Sequence, residues 1–172
     1  MLKTLFVLSL LILFASCSEE VQERPKDVNW TKADSYTLGK NIAVNEDLKI
    51  RLFLEMHKDW ELTKTGTGLR YYAYEKGDGP SPKRNQTVQI EYVVSLLDGT
   101  ECYRTEEDEY EELLVDRSDV ETGVQEAIKL LKVGDRAKLI IPSHIGHGLL
   151  GDQNKIPPLT TLVVDLYIMG IK

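Results

Sequence analysis

Three residues of one loop, His144, His147 and Asp152, are of types that bind metals or move protons. The histidines stand three apart with a carboxylate nearby, but no thiol accompanies them, so no metal is expected. Tyr71, Tyr72 and Tyr74 crowd one short run and read as strand packing rather than as a stacking platform. Six of the seven residues from 106 to 112 are acidic, which reads as a solvated loop. The net charge is −7 and no basic patch exists to neutralise phosphates, so nucleic acid is excluded as a partner.

The elements that must position these residues centre on residues 133–172. Residues 137–141 (AKLII) are apolar and follow a Gly134-Asp135 turn, and residues 160–171 form a longer β-rich run after Pro157-Pro158. Between them lies a loop with three glycines and no evident structure of its own; loops that long inside a compact domain are usually functional. Upstream, residues 69–74 and 86–97 read as strands, with Asp98-Gly99 as a hairpin turn. Residues 113–115 make a short strand, and residues 122–131 make a helix whose apolar face is Val124, Ala127, Ile128 and Leu131. Strands outnumbering one crossing helix give an α+β class, a bent antiparallel sheet wrapped on that helix.

Residues 32–62 precede this domain and change the period. Leu38, Ile42, Leu48, Leu52, Phe53, Met56 and Trp60 recur at helical intervals, and Asn45 is placed to cap a second segment. One broken helix or two short ones are expected, packed on the domain or paired with a second copy. Residues 18–31 are polar and read as a flexible tether. Residues 1–17 pair one Lys with a ten-residue apolar core and then small residues, a secretion signal too short to span a bilayer.

Two resemblances sharpen this reading. Phe14-Ala15-Ser16-Cys17 resembles a bacterial lipoprotein cleavage box, with Phe14 where Leu is usual, which implies lipidation of Cys17. The alternative is a plain signal peptide with an incidental cysteine. With Cys17 acylated, Cys102 has no disulfide partner. Residues 134–142 (GDRAKLIIP), His147-Gly148, Ile156-Pro157-Pro158 and 161–166 (TLVVDL) resemble the C-terminal half of an FKBP-type peptidyl-prolyl isomerase. A Gly68-Leu69-x-Tyr71 strand, a Gly77-x-Gly79 loop, Ile90-Glu91-Tyr92 and Asp98-Gly99-Thr100 extend that resemblance over residues 68–172, and residues 63–172 are expected to form an FKBP-like domain.

The resemblance implies an apolar cup and no cofactor. It assigns Tyr92, His147 and Ile156 to catalysis, and Cys102, Tyr103, Val120, Glu121, Val124 and Val164 to substrate binding. It also accounts for His147 without a metal. Several positions depart from the family's usual residues. Cys102-Tyr103 replace Phe-Asp, Val164 replaces Phe, and His147 replaces a Tyr whose hydroxyl donates to substrate. Glu121 replaces an aliphatic residue whose backbone N–H is the donor, and Val124 replaces the Trp of the floor. Losing that Trp removes about 100 Å² of contact, roughly 2–3 kcal/mol, unless Tyr103 or Leu149 fills the gap.

The lipoprotein signal, helical lead and Cys-Tyr pocket are also similar to the gliding-motility-associated isomerase lipoproteins. Three readings follow: a peptidyl-prolyl isomerase helping exported proteins fold, a weakly catalytic or non-catalytic binding or chaperone module of a motility or secretion machine, and a structural lipoprotein. The expected partners are proline-containing clients of the bacterial cell envelope, a membrane held through Cys17 on the periplasmic side, and a second copy through the N-terminal helices. Cys17→Ser is expected to release the protein from the membrane pellet or leave it unprocessed. Fractionation and mass identical to wild type would contradict lipidation.

Overall fold

The computed structural model describes residues 31–172, so Cys17, the signal and most of the tether lie outside the described residues. Residues 36–172 form one compact unit. The first element is a helix, α1 (Lys32–Glu55), whose N-terminus is a capping box. Thr31 Oγ1 accepts from the Asp34 N–H at 3.2 Å, and the Asp34 carboxylate accepts from the Thr31 N–H at 2.9 Å. The strands are β1 (Thr63–Lys64), β2 (Arg70–Glu75), β3 (Thr87–Leu96), β4 (Glu101–Arg104), β5 (Glu111–Leu114), β6 (Arg136–Ile141) and β7 (Leu162–Ile171), with α2 (Thr122–Leu130) between β5 and β6.

All pairings are antiparallel, in the order β1-β2-β6-β7-β3-β4, with β5 added to β3. The longest pairing joins β3 to β7, from Val88 opposite Ile171 to Leu96 opposite Leu162. Alternation along the strands divides the sheet into two faces. One face carries Val88, Ile90 and Val94 of β3, Leu139 and Ile141 of β6, and Leu162, Val164, Leu166 and Ile168 of β7. This face packs on Val124, Ala127, Ile128 and Leu131. The other face presents Ile140 and Val163 to Ile50 and Phe53 of α1. α2 approaches the sheet closely because Gly123 has no side chain: a Cβ there would lie 2.6 Å from Ile141 Cγ2.

Two expectations for the helical lead are corrected. α1 is continuous, and Asn45 is an exposed mid-helix residue rather than a cap. The buried face is Glu46, Ile50 and Phe53, whereas Leu38, Leu48, Leu52 and Met56 of the expected stripe are exposed, Met56 at 73%. The cause is a charged residue in the buried row. Glu46 accepts from the Ser143 N–H at 2.6 Å, the Ser143 hydroxyl at 3.1 Å and the Thr161 hydroxyl at 2.7 Å. Three donors make the burial of a carboxylate tolerable, and the helix turns to deliver it. The neighbouring Asp47 adds an ion pair at 2.7 Å to Arg70, a buried β2 residue.

Three smaller differences concern boundaries. Residues 63–64, expected in a connector, form β1 on the sheet edge. The acidic run does not stay in a loop: Glu111 and Glu112 belong to β5. The long loop holds one short 3₁₀ turn, Ser143–Ile145.

Glu46→Ala leaves one buried amide and two buried hydroxyls without their acceptor. A loss of about 2–3 kcal/mol is expected, a fall in Tm on the order of 5–10 °C, with Glu46→Gln losing less. Thermal denaturation of the two variants tests this; an unchanged Tm for the alanine variant would show that the network is not structural.

Candidate functional site

The pleat of β3 points Ile90, Tyr92 and Val94 to one side, over a cavity of about 290 Å³. β7 adds Val164 and Leu166, β5 adds Glu111 and Leu113, and β4 adds Tyr103. Val120 and Glu121 enter just before α2, Val124 from its first turn, and His147 and Asp152 from the loop between β6 and β7. Ile90, Val94, Leu113, Val124, Val164 and Leu166 are all buried, so the floor is aliphatic. The polar groups stand around it.

Of the residues assigned from sequence, the structure brings together Tyr92, His147, Tyr103, Val120, Glu121, Val124 and Val164. Two do not line the cup. Cys102 is the extra residue of a β-bulge between the Val94–Tyr103 and Ser95–Glu101 pairs, and it is buried in the main core beside the cup with its thiol near the Lys155 carbonyl. Ile156 is buried in the main core and reaches the site only through its N–H, which donates to Asp152 Oδ1 at 2.7 Å. Leu149 does not fill the space left by the small floor residue, being 71% exposed. Tyr103 does line it.

Sequence reasoning did not assign Glu111, Asp152, Ile90, Val94, Leu113 or Leu166 to the cup. Ile90 and Val94 carried a signal, since they share a strand face with Tyr92 by period two. Glu111 and Leu113 fall where the family resemblance implies a wall but does not align it, within and just after the acidic run, and Asp152 reads only as a neighbour of the histidines.

Asp152 organises the loop. Its Oδ1 accepts from the N–H groups of Asn154 at 2.8 Å and Ile156 at 2.7 Å, and its Oδ2 from the Tyr103 hydroxyl. Gly151 makes this turn possible: its φ is +65°, and a Cβ there would sit 2.1 Å from the Ile156 carbonyl oxygen. Burial opposes ionisation of Asp152, but the Tyr103 hydroxyl and the amides of Asn154, Ile156 and Lys155 hold its carboxyl well below the usual range.

Tyr92 is half-buried and donates its hydroxyl to Glu111 Oε1 at 2.6 Å. Burial, the Glu111 bond and charge, and the charge of Glu121 together push its phenol well above the ordinary value, so it stays a donor at all physiological pH. His147 Nε2 lies 2.8 Å from Glu121 Oε1, so this ring nitrogen is engaged rather than free for a substrate. His144 Nε2 donates instead to the Thr67 carbonyl at 2.8 Å, which separates the two histidines. Glu121 is the N-cap of α2, and among the described residues its own N–H has no acceptor within the protein.

The site is thus an aliphatic floor with the uncommitted Glu121 amide among its lining residues. Comparison with known proteins identifies the architecture. The family model for FKBP-type peptidyl-prolyl cis-trans isomerases matches residues 79–168. The chain belongs to that family.

Among its relatives is the FKBP-type peptidyl-prolyl cis-trans isomerase FkpA of Escherichia coli K12, 34% identical over 135 residues, 78% of this chain and 49% of FkpA. The crystal structure of the Escherichia coli protein matches with a TM-score of 0.66 at 30% identity, covering 81% of this chain and 65% of that one. The macrophage infectivity potentiator of Trypanosoma cruzi is 26% identical over 94% of this chain and 79% of its own length. The chain spans about half the length of FkpA.

The Asp152 bonds carry a pH signature. A carboxyl whose folded value lies below its unfolded value, about 3.9, contributes fully above about pH 4 and is lost only as pH falls through the folded value. The Asn154 and Ile156 amide shifts are therefore expected to be flat from pH 7 down to about 4, and to move below it. Asp152→Ala is expected to speed hydrogen exchange at both amides. A transition near neutral pH, or unchanged exchange in the variant, would contradict the assignment.

Proposed function

We propose that the cup binds a prolyl ring on its floor and catalyses cis–trans isomerisation of the bond before it. An X-Pro amide turns slowly because rotation breaks resonance, against a barrier of about 18–20 kcal/mol. No nucleophile is needed. A low-dielectric cup destabilises the dipolar planar amide more than the twisted one, and one well-placed N–H takes the carbonyl oxygen. The observation that carries this reading is the aliphatic floor beside the uncommitted Glu121 amide. A backbone donor survives the change from an aliphatic side chain to Glu.

Exported proteins of the cell envelope are the clients we propose, with Cys17 as a lipid anchor and α1 as a surface for a second copy. The signal-like start supports the first two, and the exposed row Val44, Leu48, Leu52 and Met56 supports the third. A second reading has its own support. Leu149 and Leu150, both at least 70% exposed, stand between the cup residues His147 and Asp152, where they suit the holding of unfolded chain without turnover.

Exchange NMR on a short prolyl peptide with the full chain decides between them. Catalysed exchange is expected, lowered by Tyr92→Ala and raised by Val124→Trp, mostly through KM. The indole would add about 100 Å² of contact to the floor, up to roughly 2–3 kcal/mol, or one to two decades in kcat/KM. A Val124→Trp variant that folds yet leaves exchange and binding unchanged would mean the ring does not sit on this floor. Binding without catalysed exchange would favour the holding role.

A further inference from the structure

The charged groups of the cup differ in one respect. Asp152 is saturated by Tyr103 and two amides, and Glu121 is paired with His147. Beyond the cup, Glu112 meets Lys172 at 3.1 Å and Glu101 meets Arg104. Glu111 receives a single hydrogen bond, from the Tyr92 hydroxyl, and among the described residues no Lys, Arg or His forms an ion pair with it. Its backbone is fixed opposite Ile90 in the β3–β5 ladder while the residue itself is exposed, so the carboxylate stands where the aliphatic floor meets solvent. The exposed residues 106–109, all acidic, reinforce the same sign of potential just upstream.

We propose that Glu111 is a specificity-determining residue, and that the preferred substrates are prolyl peptides with a Lys or Arg beside the proline. This inference rests on the prolyl-peptide reading of the cup. The client's cation supplies the counter-ion that the protein lacks, while its aliphatic stem lies along the apolar wall. Tyr92 holds the carboxylate in place before the client arrives, which lowers the ordering cost of the pair. An acidic neighbour to the proline is repelled. The pair forms at a solvated rim, so its effect is modest, salt-sensitive and partly exerted on encounter.

The test uses the full chain and two peptide sets, with Lys, Leu or Glu placed before the proline in one set and after it in the other. Exchange NMR gives kcat/KM, and chemical-shift titration gives Kd for the same peptides. In at least one set, Lys is expected to exceed Leu by about two- to fivefold at low salt, and Leu to exceed Glu. The spread should shrink in about 0.5 M salt. The Lys-to-Leu ratio should fall toward one in Glu111→Gln and invert in Glu111→Lys, whatever either variant does to both peptides together. Equal values in both sets, a ratio that Glu111→Gln leaves unmoved, or no binding of any peptide overturns the proposal. Selective binding without catalysed exchange supports it and removes the isomerase reading alone.

Discussion

One buried carboxylate ties the helical lead to the working end of the molecule. Glu46 reaches from α1 to Ser143 and Thr161, which lie at the two ends of the loop between β6 and β7. A charge taken out of water is costly, and it persists only where several donors replace the lost hydration. Here both mouths of one loop supply them, so folding α1 onto the sheet also closes the loop at its base. Asp152 repeats the device at the tip, drawing Tyr103, Asn154 and Ile156 together. The wall that carries His147 is thus held by carboxylates at its base and tip, as well as by the burial of Ile145 and Ile156 in the core. A helix that looks like an appendage in the sequence is part of what shapes the cup.

The cup itself separates two kinds of physics. Its floor comes from strands and from the first turn of α2, whose approach depends on Gly123 meeting Ile141 without a side chain between them. Such walls are set by close packing and change little with conditions. Its rim comes from β5, the pre-helix loop and the β6–β7 loop, where Glu111, Glu121 and Asp152 are each bonded to another side chain, Tyr92, His147 and Tyr103 respectively. In the proposed function desolvation acts at the floor and electrostatic choice at the edge, so the two can vary independently. Replacing the family's usual aromatic floor with Val124 leaves the rim bonds untouched.

The sheet was legible because its strands obey simple periods. The apolar runs of β3, β6 and β7 alternate or are fully apolar, and α2 shows its buried face as Val124, Ala127, Ile128 and Leu131. α1 was misread for a physical reason. Its true face is organised by Glu46, which hydrophobic patterning treats as solvent-facing, so the eye follows Leu48, Leu52 and Met56 instead. The same blindness hid Glu111 and Asp152. An acidic residue in a charged run or loop looks solvated until its donors are located, and those donors lie far away in sequence. Cys102 shows another limit: adjacency to Tyr103 suggests a shared role, but a β-bulge at this point buries Cys102 in the core beside the cup instead of in its lining.

These substitutions bear on what kind of family member this is. If the cup binds as proposed, a floor of aliphatic residues holds the prolyl ring less tightly in every state of the reaction, because the lost contact is with a group that does not itself rotate. Uniform loss of that kind raises KM and leaves the barrier from the bound state nearly unchanged. On the proposed reading, the contribution that distinguishes the twisted amide from the planar one comes from the aliphatic surroundings and the Glu121 N–H, which has no acceptor among the described residues. Weak ground-state binding with an intact donor suits clients that are abundant, unfolded and released quickly, more than a ligand that must be kept. On the same proposal, with little affinity spent on the ring, the choice among clients would pass to residues beside the proline, and the carboxylate that Tyr92 holds at the rim is the group placed to read them.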